Sequence, residues 1–190
     1  METNSPATRI DTPNVVNCSG CPELVSSRTR IVNGTGPETA DILFVGEAPG
    51  KNEDEQGEPF VGRSGGILDE TLETVGLERA EVRITNLVRC RPEDNRDPRQ
   101  EEIENCRPHL ELEVQHVEPS VIVPLGAFPA EAIISEEINQ ITKVTGEVFE
   151  TPLGRDETVS VASVHPAATI YNRDLRPAFE DTLETVTQLV

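Results

Sequence analysis

Four cysteines are the first residues whose spacing points to chemistry: Cys18-x2-Cys21, then Cys90, then Cys106. A zinc ribbon would repeat the C-x-x-C pair, and this chain does not. Four thiolates without a histidine suit either zinc or an iron-sulfur cluster, and the spacing does not choose between them. No apolar core of a signal peptide occurs near the start, so a reducing cytoplasmic setting is expected. There cysteines serve better as metal ligands than as disulfides.

A second group lies in the loop "GEAPGKNEDEQGEPFVGRSGG". It has the glycines of a phosphate-binding loop but neither G-x-x-x-x-G-K-[ST] nor G-x-G-x-x-G. Glu47, Glu53, Asp54, Glu55 and Glu58 would repel a triphosphate, so a neutral or electron-poor ligand is expected. Phe60, a ring in a polar loop, is either a core anchor or a platform for a planar ligand. Asn86 interrupts an apolar strand. Its amide, once buried, needs partners, and its acceptor and donor together match an edge such as that of a pyrimidine. His165, between a strand and Pro166, is placed to donate to a developing oxyanion. Arg89, Arg91, Arg96, Arg99 and Arg107 form an island of positive charge that suggests phosphate contacts.

The elements that must position these groups alternate. Apolar, β-branched runs at 42–45, 82–88, 121–125 and 159–164 read as strands. Helical spacing or helix-start residues mark 66–75, 98–117, 128–134 and 172–190. Residues 136–157 are left for an extra hairpin or loop, and residues 1–17 for a mobile tail before one domain at 18–190. The expected class is α/β, with a central four-stranded parallel sheet covered by helices on both faces. Such a sheet gathers its site at the carboxyl ends of its strands, where residues 46–50, Asn86, Gly126 and His165 would converge.

Composition adds a constraint on setting. The chain has 35 acids against 16 bases, a formal charge of −19, which is the pattern of a salt-adapted proteome. No run approaches the roughly 18 apolar residues of a membrane span.

Taken together, "GEAPGKNEDEQGEPFVGRSG", "ITNLVRCRP", "SVHPAA" and the cysteine framework resemble the family 4 uracil-DNA glycosylases, the iron-sulfur group, from about Cys18 to the C-terminus. The resemblance implies a three-layer α/β/α sandwich and removal of uracil from single- or double-stranded DNA in base-excision repair, by a monomer. It implies that Cys18, Cys21, Cys90 and Cys106 hold a [4Fe-4S] cluster. It further implies that Glu47, Ala48 and Pro49 line the uracil pocket, that Phe60 stacks on the base, and that Asn86 reads its edge. By the same resemblance Glu53 sits near C5, Glu47 and His165 are catalytic, and a salt-adapted archaeon is the expected source. Two positions depart from the family: Glu93 stands where "RPPxNRxP" has a second proline, and Tyr171 precedes Asn172 where an arginine is common. The competing readings are a cluster-bearing DNA-binding module, a relative acting on another damaged base, and a zinc-stabilised nucleotide hydrolase.

Overall fold

A computed structural model describes residues 13–134, 138 and 140–190. Residues 1–12 of the expected tail lie outside the described residues. The end of that stretch is tied down: Val15 is buried, its N–H donates to Asn33 Oδ1 at 2.8 Å, and Asn33 Nδ2 donates back to its carbonyl at 3.2 Å.

The apolar runs form β1 (Ile42–Gly46), β2 (Arg83–Asn86), β3 (Val121–Pro124) and β5 (Val159–Val161), with β4 (Val148–Glu150) between the last two. Their order is β2-β1-β3-β5-β4. The first four in that order are mutually parallel, which explains why β1 and β3 are buried at every position. The expected count of four strands is therefore corrected to five. β4 pairs antiparallel with β5 through Val148↔Val161 at the sheet edge. It is three residues long with two of them exposed, so it has no apolar run to announce it.

Successive side chains on a strand point to opposite faces, and helices cover both. Phe44, Ile84 and Val123 pack with Leu68 and Leu72 of α3 (Arg63–Thr74) and with Phe179 and Leu183 of α8 (Leu175–Thr187). Leu43, Val45 and Ile122 pack the other way, against Ile103, Leu110 and Val114 of α4 (Gln100–Val117) and Ile133 of α5 (Ala127–Ile133). Leu24 of α1 (Pro22–Ser27) joins that second layer. The result is the expected α/β sandwich of three layers. The shorter helices are α2 (Lys51–Gln56), α6 (Ile141–Val144) and α7 (Ala168–Tyr171). The helix expected over 172–190 is α8, which begins only at Leu175, because Asn172 caps the end of α7 and turns extended at φ −130°.

Beneath α4 lies a buried ionic knot. Glu113, fully buried, accepts from Arg83 Nε at 2.8 Å and from Arg89 Nη2 at 2.6 Å. Arg89 Nη1 also donates to Asn33 Oδ1 at 3.1 Å and to the Pro13 carbonyl at 3.3 Å. Gly34 makes room, because a Cβ there would collide with the Glu113 carboxylate. Arg89 thus joins β2, α4 and the segment at 13–15, and it is not available to a phosphate. Removing one member strands the others in low dielectric. Glu113→Ala is expected to lower stability by about 3–5 kcal/mol. Denaturant unfolding measures it, and a loss below about 1 kcal/mol would mean that the arginines reach water.

Candidate active site

At the carboxyl ends of β1, β2 and β5 a cavity of about 730 Å³ opens. β1 runs directly into Glu47 and Ala48, β2 ends at Asn86, and the segment after β5 delivers His165; all four line the cavity, as do Glu53 and Phe60. Pro49 is buried next to them but does not line it. The β1 loop is pinned by the continuation of β2, since Leu87 N–H donates to the Gly46 carbonyl at 2.9 Å and Val88 N–H to that of Glu47 at 3.0 Å.

Gly46 is where the chain comes closest to the site. A Cβ there would stand 2.5 and 2.7 Å from Phe60 ring carbons and would press on Asn86 Oδ1. Glycine alone lets the ring and the amide share that space. Phe60 itself is held at φ +53°, a left-handed conformation that costs a non-glycine residue about 1–3 kcal/mol. Its neighbours hold it there. Glu53 Oε1 accepts from Val61 N–H at 3.1 Å and Gly62 N–H at 2.8 Å, and Arg79 Nη2 donates to the Pro59 carbonyl at 2.6 Å. Gly65 is needed too, because the Phe60 carbonyl fills the place of its Cβ. Glu53 therefore fastens the loop as well as lining the cavity.

The Phe60 and His165 rings lie 5.6 Å apart, tilted by 32°. His165 Nδ1 accepts from the Ala167 N–H at 3.1 Å, so the neutral ring carries its proton on Nε2. Burial pulls its pKa down to about 4 against a smaller opposing effect from Glu53. At neutral pH it is an uncharged donor. Asn86 is 2% exposed, yet its amide has no hydrogen-bond partner among the described residues; its free valences are left for whatever enters.

Glu47 has a displaced titration. Burial first, and the charge of Asp97 second, raise its pKa to about 7. Asp97 and Asn95 line the same cavity from the loop between β2 and α4. Asp94 and Asn95 in that loop adopt left-handed φ of 52° and 55°. Arg91 Nε donates to Asn95 Oδ1 at 2.7 Å, and Arg96 forks onto both oxygens of Glu102 at 2.6 and 2.9 Å. Glu23 of α1 adds a bond to Arg99 at 2.6 Å. Arg107 is occupied by Glu111 at 2.7 Å and by the Ala132 carbonyl at 3.1 Å. The arginine island expected to meet phosphate is thus corrected. Arg89, Arg96, Arg99 and Arg107 serve carboxylates of the protein, and of the five only Arg91 forms no ion pair among the described residues.

The cysteines also come together. Cys18, Cys21, Cys90 and Cys106 line one small cavity between α1 and α4, with Leu24 and Val88. Arg28 Nη1 donates to Cys90 Sγ at 2.9 Å and Nη2 to the Cys18 carbonyl at 2.8 Å, while Asn105 Nδ2 reaches Cys21 Sγ at 3.7 Å. As free thiols Cys21, Cys90 and Cys106 resist ionisation, since burial pushes Cys106 up to about 12 and raises Cys21 and Cys90. Any metal bound here must displace those protons. Among the described residues no His, Cys, Asp and Glu side chains are grouped in threes as a single metal ion needs.

Residues 33–187 match the family model for the uracil DNA glycosylase superfamily. The chain is 41% identical over 178 residues to a type-4 uracil-DNA glycosylase of Archaeoglobus fulgidus, covering 92% of this chain and 89% of that one. It is also 41% identical over 179 residues to one from Sulfurisphaera tokodaii, with 92% and 81% covered, and 37% identical over 176 residues to one from Saccharolobus solfataricus, with 90% and 81% covered. The chain belongs to the type-4 uracil-DNA glycosylases. The resemblance seen in its motifs is a true family relationship.

Sequence reading of this type-4 chain did not single out Ser64, Asp97 or Ala167, which also line the cavity. Asp97 carried a signal, an acid in "NRDP" two residues from Asn95, which lines the same cavity. Ser64 and Ala167 are small residues brought in by their neighbours, and nothing in their type marks them.

Glu47 generates a pH prediction. Its folded pKa of about 7 lies above the unfolded carboxylate value. Its ionisation therefore destabilises the fold progressively from about pH 4.5 to pH 7 and fully above that. Glu47→Gln is expected to raise the melting temperature at pH 8 and leave it nearly unchanged at pH 4. An equal shift at both values would show that the carboxylate is not desolvated.

Proposed function

We propose that the protein extrudes a uracil nucleotide from single- or double-stranded DNA into the cavity and hydrolyses its N-glycosidic bond, leaving an abasic site for base-excision repair. The observation that carries this reading is the pairing of an unpartnered buried amide, Asn86, with the neutral His165 donor beside the Phe60 ring. Uracil offers an N3–H donor and an O4 acceptor, which one fixed amide can meet together, whereas cytosine reverses that pattern. Phe60 stacks on the ring, Ala48 forms part of the wall beside it, and Glu53 stands toward C5. Unstacking the nucleotide costs a few kcal/mol, which binding in the cavity offsets.

As the bond between the sugar C1′ and uracil N1 breaks, its electron pair leaves with uracil and positive charge develops on the sugar. His165 Nε2–H stabilises the uracil oxygen, with no proton change required of a ring whose pKa is near 4. Glu47, once ionised, stabilises the sugar or orients the water whose oxygen ends on C1′. The released base takes up the remaining proton.

The cysteine cavity fits a [4Fe-4S] cluster held by Cys18, Cys21, Cys90 and Cys106. Four thiols share one enclosure with N–H donors aimed at two of the sulfurs. Such a cluster would supply a structural clamp between α1 and α4. Our reading also includes a monomer acting in the cytoplasm of a salt-adapted archaeon, which the acid excess supports. Among the described residues no helix is long and apolar enough to cross a membrane.

Incubation with a uracil-containing oligonucleotide followed by alkaline cleavage tests the reaction. Asn86→Ala should slow base release by about tenfold to a hundredfold, since each unpaired group costs about 1–3 kcal/mol. Asn86→Asp should lose uracil release and gain weak cytosine release. Undiminished release by Asn86→Ala would reduce Asn86 to a core amide. Anaerobically purified protein is expected to be brown, with about four iron and four sulfide per chain. Colourless protein holding zinc alone would refute the cluster.

A further inference from the structure

We propose that Asp54 is a positioning residue of the base slot, and that it works through the corner at residues 27–30, which also grips the cysteine centre, so that the two sites are energetically coupled. Resting on the glycosylase and cluster readings, this gives a role to a buried carboxylate that neither of them uses.

Asp54 is 2% exposed, and the hydrogen bonds its carboxylate accepts among the described residues all come from backbone N–H groups. Thr29 N–H reaches Oδ1 at 2.9 Å and Oδ2 at 3.0 Å, and Arg30 N–H reaches Oδ1 at 3.2 Å. A carboxylate buried in this way fixes its partners, because a charge left unpaired in the interior is costly. The corner it holds is the end of α1. There Arg28 Nη1 donates to Cys90 Sγ at 2.9 Å and Nη2 to the Cys18 carbonyl at 2.8 Å, while Ser27 Oγ donates to the Arg91 carbonyl at 2.7 Å. The grip on the cysteines and the grip on Asp54 are thus adjacent in the chain.

On its other side Asp54 directly follows Glu53 in α2, and neighbours on a helix point about 100° apart, so one turn carries both carboxylates. Glu53 fastens the Val61 and Gly62 N–H groups beside the strained Phe60. It has little room to adjust. A Cβ at Gly50 would stand 2.8 Å from its Oε2, and one at Gly62 would stand 3.1 Å from its Oε1. A shift of α2 is therefore passed on to the ring. This connection is separate from the ion pairs of Glu23 and Glu102, which fasten the loop bearing Asn95 and Asp97. A path of contacts becomes coupling only if it is reciprocal: a base that closes the slot must also close the cysteine centre.

The test uses the full chain, purified anaerobically with its cluster. Release of iron to a coloured chelator is timed with and without free uracil, whose Kd is taken from calorimetry. Uracil should slow the release at least about fivefold, with half of the effect at that Kd. Amide hydrogen exchange reads the other end without uracil. Arg28→Met, which keeps an unbranched stem and loses both donors, should speed exchange of the Val61 and Gly62 N–H groups at least about fivefold and leave α8 as in the parent. Asp54→Ala should do the same, and Asp54→Asn, which keeps an oxygen for both N–H groups, should lie closer to the parent. The double variant R28M/D54A should exchange no faster than D54A, since both break one connection. Iron release indifferent to bound uracil, parent-like exchange in Arg28→Met, or single effects that multiply in the double variant would each overturn the coupling. The first two of these measurements stand even where Asp54→Ala does not fold. Absence of uracil binding in the calorimeter would overturn the glycosylase reading instead, and absence of iron the cluster reading; the exchange measurement then decides the coupling alone.

Discussion

At Gly46 the last residue of β1 passes so near the Phe60 ring and the Asn86 amide that a single added carbon would overlap both. That close approach sets the shape of the cavity. It brings the strand end against the aromatic ring, and the ring against His165 at 5.6 Å. The strained backbone of Phe60 follows from the same crowding. It persists because Glu53, Arg79 and Gly65 fix the loop on three sides. A rigid slot of this kind can tell bases apart, because an amide that cannot swing away leaves a wrong partner unbonded.

Charge is distributed with equal economy. The chain has more than twice as many acids as bases, and the structure uses most of its arginines internally. Arg83 and Arg89 neutralise Glu113 in the core, while Arg96 and Arg99 tie the loop that holds Asn95 and Asp97 to Glu102 and to Glu23 of α1. Because α1 begins directly after Cys21, the cysteine cavity and the active-site loop share one set of ionic fastenings. What binds at the thiols therefore also bears on where the loop sits.

Sheet, layers and the convergence at the strand ends were legible because they rest on patterns within one segment: apolar runs for β1 and β3, helical spacing for α3 and α8, and helix-start residues for α4. Asn86 and Phe60 were legible as exceptions, a polar group in an apolar strand and a ring in a polar loop. Short or relational features were not. β4 has three residues and no apolar run, and α2 is a six-residue helix in a loop crowded with acids. The arginines near Cys90 looked like a patch because sequence gives proximity but not partners. Glu113, which neutralises Arg89, is 24 residues away, and Glu23, which pairs with Arg99, is 76 away. The same limit hid Asp97, whose effect on Glu47 depends on two loops meeting at the cavity.

The central claim is that the slot formed by Phe60, Asn86 and His165 selects uracil by a fixed hydrogen-bonding pattern. Calorimetric titration of the intact protein with free uracil and free cytosine tests this without DNA, phosphate contacts or bond cleavage intervening. The expected result is uracil binding at least about tenfold tighter than cytosine, the consequence of even one unpaired buried group. Equal affinities for the two bases would contradict it.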